Sequence, residues 1–544
     1  MKIITIKNAF CLLFLGFSIV SFGQIRKYDY NHKNKKITTE QWVVNDIIFK
    51  NKKALVNPYE IKLYAKVSSK EKTQNIPLFY DGNDRWIFRF SASKTGDFNY
   101  KIAGDKTSFT GKEGVFKVIP NSKKDRHGGI VLKEDDKKHF YYQDDSHYFN
   151  LAFECDWLFA LDYNKKEIKK TNHLLELIKS NGFNQVVMNV YSHDVSWKKD
   201  SLLQSHPEHE FGGKQEIFPF LGTNKNPDHS ALNPEFFKHF DKVVSTMHDK
   251  EIVSHLMIYV WNKLVTWPDM NTLEDNRYFD YVIKRYQAFP NIIWDVSKEA
   301  LYYGRATEEY ISERIQRIRN IDSYDRLVSV HDYNFCRKHA DEVDFISTQD
   351  WASTLYTRML EARNKFPNKP IFNIEHGGYE TSPYTVFTGD YTNAETCLRR
   401  NYLCLFAGVY TTYYWQGSSW NVIIYNPYEQ PDDFYKPRFS YFKHLNNFFK
   451  DISFQDFKPI PWKNSSGYNL TTEKTGTTLI YMPKENYAVK LSFLSKENKN
   501  TATMQWFNTL TGKYTKEFGF EKWKAEKSPW RGDADTILIV RKKQ

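Results

Sequence analysis

The chain has 544 residues, of which 41% are hydrophobic and 17% aromatic, and its formal net charge is +12. This length exceeds one domain and suits roughly two to four. The lysines are scattered and form no long basic block, which argues against nucleic acid as a partner, and beyond the N-terminus no run of about 18 apolar residues predicts a membrane-spanning helix.

Residues 1–23 read as a secretory signal. Lys2 and Lys7 form the charged start, Ala9–Val20 the apolar stretch, and Ser21-Phe22-Gly23 the small-residue cleavage region. Loss of the two lysines takes the net charge of +12 to +10. The expected location is therefore secreted or periplasmic. Cys11 leaves with the signal. The remaining Cys155, Cys336, Cys397 and Cys404 contain no CxxC pair, so buried free thiols are expected rather than a zinc knuckle or a thioredoxin-like site.

Residues 24–120 read as an N-terminal antiparallel β-sandwich. Ile61–Val67 alternates in polarity, Arg85–Phe90, Phe98–Ile102 and Val115–Ile119 follow, and Asp81-Gly82-Asn83, Thr95-Gly96-Asp97 and Gly111–Gly114 supply turns. Polar residues 121–129, ending in two glycines, read as a linker. From 130 to 450 the pattern becomes strand, then helix, repeatedly. The strands are Tyr148–Phe153, Gln185–Val190, Ile252–Val260, Asn291–Val296, Leu327–Val330, Asp344–Thr348, Pro370–Ile374 and Gly408–Trp415. Helical patterns cover Lys166–Ser180, Pro234–Lys250, Asn276–Phe289, Glu308–Ile321, Ala352–Phe366 and Ala394–Phe406, and Asn233-Pro234-Glu235 is a capped helix start. Eight such units predict an α/β fold with a (β/α)8 barrel. The helix after Leu327–Val330 is poorly defined. Residues 451–544 return to short strands and read as a C-terminal antiparallel β-sandwich.

In a parallel barrel, the residues just past each strand build the pocket. Glu299 follows the fourth strand and Glu375 ends the seventh, and paired carboxylates are the minimum equipment for glycosidic cleavage. Asp295 rivals Glu299, and Glu380 rivals Glu375. The other strand ends offer substrate contacts: Asp156, Trp157, Tyr191, His193, Trp261, Lys298, His331, Tyr333, Gln349, Trp415 and Trp420. Sugars need such a mixture, with carboxylates and amides for hydroxyls and indole faces for C–H surfaces. Trp415 is the expected platform beneath the reacting sugar. His193, His331 and His376 lack the spacing of a metal site, and no cofactor is expected. The G-x-S-x-G elbow and the glycine-rich nucleotide loops are absent.

The segments Tyr148–Trp157, Asn233–Phe237, Arg285–Asp295, Asp344–Gln349 and Lys369–Glu375 resemble the apiosidase-like, "collagenase-like" glycoside hydrolases, which belong with the retaining (β/α)8 enzymes of clan A. The N-terminal region resembles the domain of unknown function that precedes such barrels. The C-terminal region, with Gln505–Gly512, resembles the small sandwich named for collagen binding. The resemblance implies acid/base Glu299 and nucleophile Glu375, about 5–5.5 Å apart in a retaining enzyme. It also implies an asparagine before the acid/base, where this chain has Lys298. An ammonium there suits an anionic group on the substrate, or marks a barrel that has lost the chemistry; it could also pair with Asp295. Charge and family habit together suggest an anionic polysaccharide such as a sulfated algal galactan. The alternative reading is a non-catalytic carbohydrate-binding protein on a degenerate barrel.

Overall fold

Alternating apolar strands and amphipathic helices between residues 151 and 452 close into one parallel sheet of eight strands: β1 (Leu151–Glu154), β2 (Gln185–Asn189), β3 (Val253–Val260), β4 (Ile292–Lys298), β5 (Val328–His331), β6 (Ile346–Gln349), β7 (Ile371–Glu375) and β8 (Tyr410–Tyr413). The structure, a computed structural model, describes residues 25–52, 57–387, 391–491, 502–520 and 525–542; the expected signal segment 1–23 lies outside them. Strand order is β5-β4-β3-β2-β1-β8-β7-β6, parallel throughout. The seam between β5 and β6 is joined by Asp344 N donating to Val328 O at 2.8 Å and by Ser329 Oγ donating to Phe345 O at 2.9 Å. Every residue of β3 is buried, as expected for a strand with side chains inside the barrel and helices outside.

The helices are α1 (Lys169–Ser180), α2 (Pro234–Asp249), α3 (Leu273–Tyr286), α4 (Glu308–Ile321), α5 (Tyr333–Lys338), α6 (Leu355–Lys365), α7 (Ala394–Phe406) and α8 (Phe439–Ile452). Side chains that accept from otherwise unpaired first-turn amides start several of them: Asn233 before α2, Thr272 before α3, Thr307 before α4 and Asn393 before α7. The helix after β5 has only six residues, too few to show a helical period in sequence. Helix α8 went unassigned in the sequence, although Phe439, Phe442, Leu445, Phe448 and Phe449 mark one buried face.

Two sheets precede the barrel. Arg26–Asp29, Asn45–Lys50, Arg85–Phe90 and Phe79–Tyr80 form one, and Lys36–Glu40, Glu113–Ile119, Gly96–Gly104, Leu63–Ser68 and Thr73–Pro77 the other. Pairing is antiparallel except where Arg26–Asp29 and Lys36–Glu40 run parallel to their neighbours. After the barrel comes a six-stranded antiparallel sheet. One face, with Leu479, Tyr481, Phe507 and Ile537, joins the barrel core, while the other gathers Ile480, Met504, Trp506 and Leu538 under Val489 and Leu491. The four cysteines are buried free thiols. Among the described residues no helix is long and apolar enough to cross a membrane.

A buried ion network fastens the first sheet to the barrel. Arg89 grips Asp46 through Nε at 2.8 Å and Nη2 at 3.0 Å, and reaches Asp241 of α2 at 2.9 and 3.1 Å. Arg285 of α3 holds the same Asp241 at 2.7 and 2.9 Å and meets Asp81 at 3.0 Å. Both guanidinium groups are about 1% exposed. Two buried cations then share one carboxylate, so removing it leaves both undercompensated. Asp241→Ala is expected to cost about 3–5 kcal/mol in chemical denaturation.

Candidate active site

The site is built on a fault in β4. Asp295 pairs with Ser329 and Lys298 with His331, so Val296 and Ser297 together oppose Val330. Such a bulge re-aims the side chains beyond it. The Asp295 carboxylate pins the bulge by accepting from Ser297 N at 3.1 Å and His331 N at 2.9 Å, and it meets His255 Nε2 at 3.1 Å. Asp295 is therefore committed inside the barrel. Glu299 follows with φ 52°, and its amide donates to His331 O at 2.8 Å. Its carboxylate accepts from Gln349 Nε2 at 2.8 Å and Asn262 Nδ2 at 3.1 Å, and the side chain stays half-buried.

Glu375 ends β7 beside Gln349 of β6, its partner in register. The same Gln349 thus adjoins one candidate carboxylate and bonds the other. Glu375 is 2% exposed. The Tyr379 hydroxyl donates to it, His331 Nε2 lies 3.4 Å away and Lys298 Nζ 3.8 Å away. Burial works to raise its pKa, but the Lys298 ammonium, His331 and Tyr379 outweigh burial and hold it at about 2. The other rival, Glu380, accepts from Tyr413, Tyr435 and the Arg438 amide, and so latches the chain after β7 to the chain after β8.

Beneath these residues lies a compact charge cluster. Lys298 Nζ donates to Glu154 Oε1 at 3.1 Å and stands 3.9 Å from Asp156; it does not pair with Asp295. Lys263 Nζ is 3.6 Å from Asp156 and 2.9 Å from the centroid of the Trp420 ring, whose backbone amide donates to Asp156 at 3.3 Å. Burial and the neighbouring Asp156 push the Glu154 carboxyl well up. Burial opposes ionisation of Asp156 too, yet Lys298 and Lys263 bring it below the ordinary carboxylate range. The Lys298 ammonium is held well above its usual range against burial, by Asp156, Glu154 and Glu375, whereas burial brings Lys263 down to about 8.

Of the strand-end residues, Asp156, Lys298, Glu299, His331, Gln349, Glu375 and Trp420 converge. Trp157 is buried behind them, 5.5 Å from Lys263 Nζ. Tyr191 packs among Phe159, Phe218, Phe236 and Trp267, with its hydroxyl 3.3 Å from His193, which contacts Gln215 at 3.0 Å. Trp261 stacks on Tyr259 at 4.8 Å. Tyr333 opens α5, half-buried. Trp415 is fully buried, with its indole N–H on Thr381 O at 3.0 Å and its ring against Phe439, so the aromatic beside the charges is Trp420, stacked on Phe387 at 4.9 Å. Lys263 and Tyr379 escaped the sequence reading. The signal for Lys263 was a charged residue between Trp261 and Trp267 and just before Leu264-Val265, where a lysine is buried only if carboxylates await it. Tyr379 stands past two positive-φ glycines, Gly377 and Gly378, where no periodicity applies.

Comparison with known proteins bears on the fold and the family. The description "Apiosidase-like, catalytic domain" matches residues 134–456, and a domain of unknown function, DUF5060, matches residues 38–105. No curated protein matches the sequence. A candidate glycoside hydrolase from Bacteroides vulgatus superimposes with TM-score 0.72 at 20% identity, covering 93% of this chain and all of that one. A glycoside hydrolase family 5 structure from the same organism gives 0.54 at 17% identity, covering 76% and 93%. These structural likenesses establish the glycoside hydrolase fold. With its catalytic-domain description matching more than half of the sequence, the chain belongs to the apiosidase-like family.

Proposed function

We propose that this chain is a secreted, retaining glycoside hydrolase, with Glu375 as nucleophile and Glu299 as acid/base. The observation that carries the reading is the contrast joined at Gln349. A buried carboxylate kept ionised by Lys298, His331 and Tyr379 stands beside it in register, and a half-buried carboxyl held by amide donors accepts its side chain. A nucleophile must be ionised and fixed in place; an acid/base must face the leaving group and then water. Glu375 attacks the anomeric carbon as Glu299 protonates the departing oxygen. Water then attacks the glycosyl-enzyme, gives its proton to Glu299 and releases Glu375.

Lys298 takes the place of the clan's asparagine without being free to bind a substrate anion. Two ammonium groups, Lys298 and Lys263, face Glu154, Asp156 and Glu375. Asp156 and Glu375 alone match the two ammonium groups, so the cluster has no surplus positive charge. The lysine uses one hydrogen bond on Glu154 and keeps donors for a sugar hydroxyl. An uncharged reacting sugar suits this centre. An anionic substituent of a galactan would sit further out, where exposed Arg305 borders the groove of Trp261 and Trp267. The family's name adds an apiosyl residue to the candidates.

The test is product release from neutral, sulfated and apiose-containing glycans. Glu375→Gln is expected to abolish release, and Glu299→Gln to lower kcat by about 10²–10⁴-fold, the usual worth of general acid–base catalysis. The anomer first seen by NMR should match that of the substrate. Binding without release by the wild type would favour the carbohydrate-binding alternative, and release surviving in Glu375→Gln would displace the nucleophile.

A pH profile tests the role of Lys298. Its ammonium favours the charged form of Glu375, so removing it raises the carboxyl pKa and reduces the ionised fraction in acid. Lys298→Met should therefore move the acid limb of kcat/KM to higher pH; an unmoved limb would separate Lys298 from the nucleophile.

A further inference from the structure

A second cluster lies on the loop between β2 and α2, apart from the two glutamates. His206 precedes a single 3-10 turn, Pro207–His209, which places positions 206 and 209 on one side of the chain. The two imidazole rings are nearly parallel, at 15° with centroids 5.9 Å apart, and Glu208 Oε1 is 3.5 Å from His206 Nδ1. Each of the three residues brings a ligand atom within 4.8 Å of the other two, and among the described residues this is the one such grouping of histidine, cysteine and carboxylate. Tyr384 meets Nδ1 of the buried His209 at 2.7 Å. That contact holds the ring through Nδ1 and leaves Nε2 as the nitrogen available to a metal, the role an outer partner plays for a metal-binding histidine. His206 and Glu208 are partly open, with side-chain exposures of 25% and 47%, so an ion can enter from solvent.

We propose that His206, Glu208 and His209 form a divalent transition-metal site that clasps the rim of the barrel. Two imidazoles and one carboxylate select zinc or its neighbours over calcium and magnesium, and three protein ligands leave a fourth position for water. The clasp bears on the rim through the backbone. Ile423 N donates to His209 O at 3.0 Å, and Glu210 bridges to Val422. Trp420, which covers Lys263, lies on the same segment. Occupancy would stiffen the turn that supports this wall and does not depend on which glutamate is the nucleophile.

The experiment is zinc titration of the tag-free chain against a chromophoric chelator, with visible absorption of the cobalt-loaded protein as a second readout. One equivalent should bind per chain, and cobalt should show bands of a nitrogen–oxygen site. His206→Ala and Glu208→Ala alter partly exposed side chains and should keep the native circular dichroism while weakening binding at least tenfold. No zinc uptake by the wild type, or equal uptake by the two variants, would overturn the site.

Discussion

An ammonium group with 1% of its side chain exposed organises this barrel mouth. Burying such a charge costs several kcal/mol unless carboxylates surround it, and Lys298 finds three at two strand ends: Glu154 and Asp156 at the end of β1 and Glu375 at the end of β7. Asp156 is shared with Lys263, and Lys263 lies over the ring of Trp420 beyond β8. One charge balance thereby ties the C-terminal ends of β1, β3, β4, β7 and β8. Each strand end is a short excursion from a rigid stave, so fixing the charges fixes the loops.

The same balance assigns different tasks to chemically identical side chains. Glu154 and Glu375 both approach Lys298, yet one is driven toward its neutral form and the other toward its ionised form. The difference lies in the remaining neighbours. Glu154 faces the Asp156 charge, while Glu375 also has His331 and the donated proton of Tyr379. Environment rather than residue type pushes these two carboxyl groups in opposite directions.

The sequence made the barrel legible because fully buried strands read as apolar runs and because Asn233-Pro234-Glu235 states where a helix begins. It was silent where length or geometry leaves no period: α5 is a single short stretch, and α8 hid among aromatics that equally suit strands. Strand-end reasoning brought Lys298, Glu299, His331, Gln349 and Glu375 to one place, because position past a parallel strand is a topological fact. It did not distinguish Trp415 from Trp420. Both follow β8, but Trp415 leaves the strand under Gly417, where even a Cβ would lie 2.2 Å from the indole ring, while Trp420 is turned back over the charges by a left-handed backbone. Nor could the β4 bulge be read, since alternation alone cannot tell that Asp295 would serve two backbone amides and leave Lys298 for the carboxylates of β1 and β7.

Backbone strain marks where this arrangement has to be enforced. Glu299 has φ 52° and Trp420 φ 57°, and Leu264, next to Lys263, has φ 50°. None is glycine, and each non-glycine residue in this region costs about 1–2 kcal/mol. Such strain persists only where the surroundings overdetermine the conformation. At Glu299 they do so through the backbone N–H donated to His331 O and the two donors on the carboxylate. At Trp420 they do so through the backbone N–H donated to Asp156 and the lysine over the ring. Glu299 and Trp420 occupy opposite walls of one mouth, one beyond β4 and the other beyond β8, and the charge cluster joins them. Either turn would relax if its hydrogen bonds and charge contacts were removed. Holding both against that preference sets a carboxyl and an aromatic wall in place before a sugar arrives, so binding need not supply the ordering.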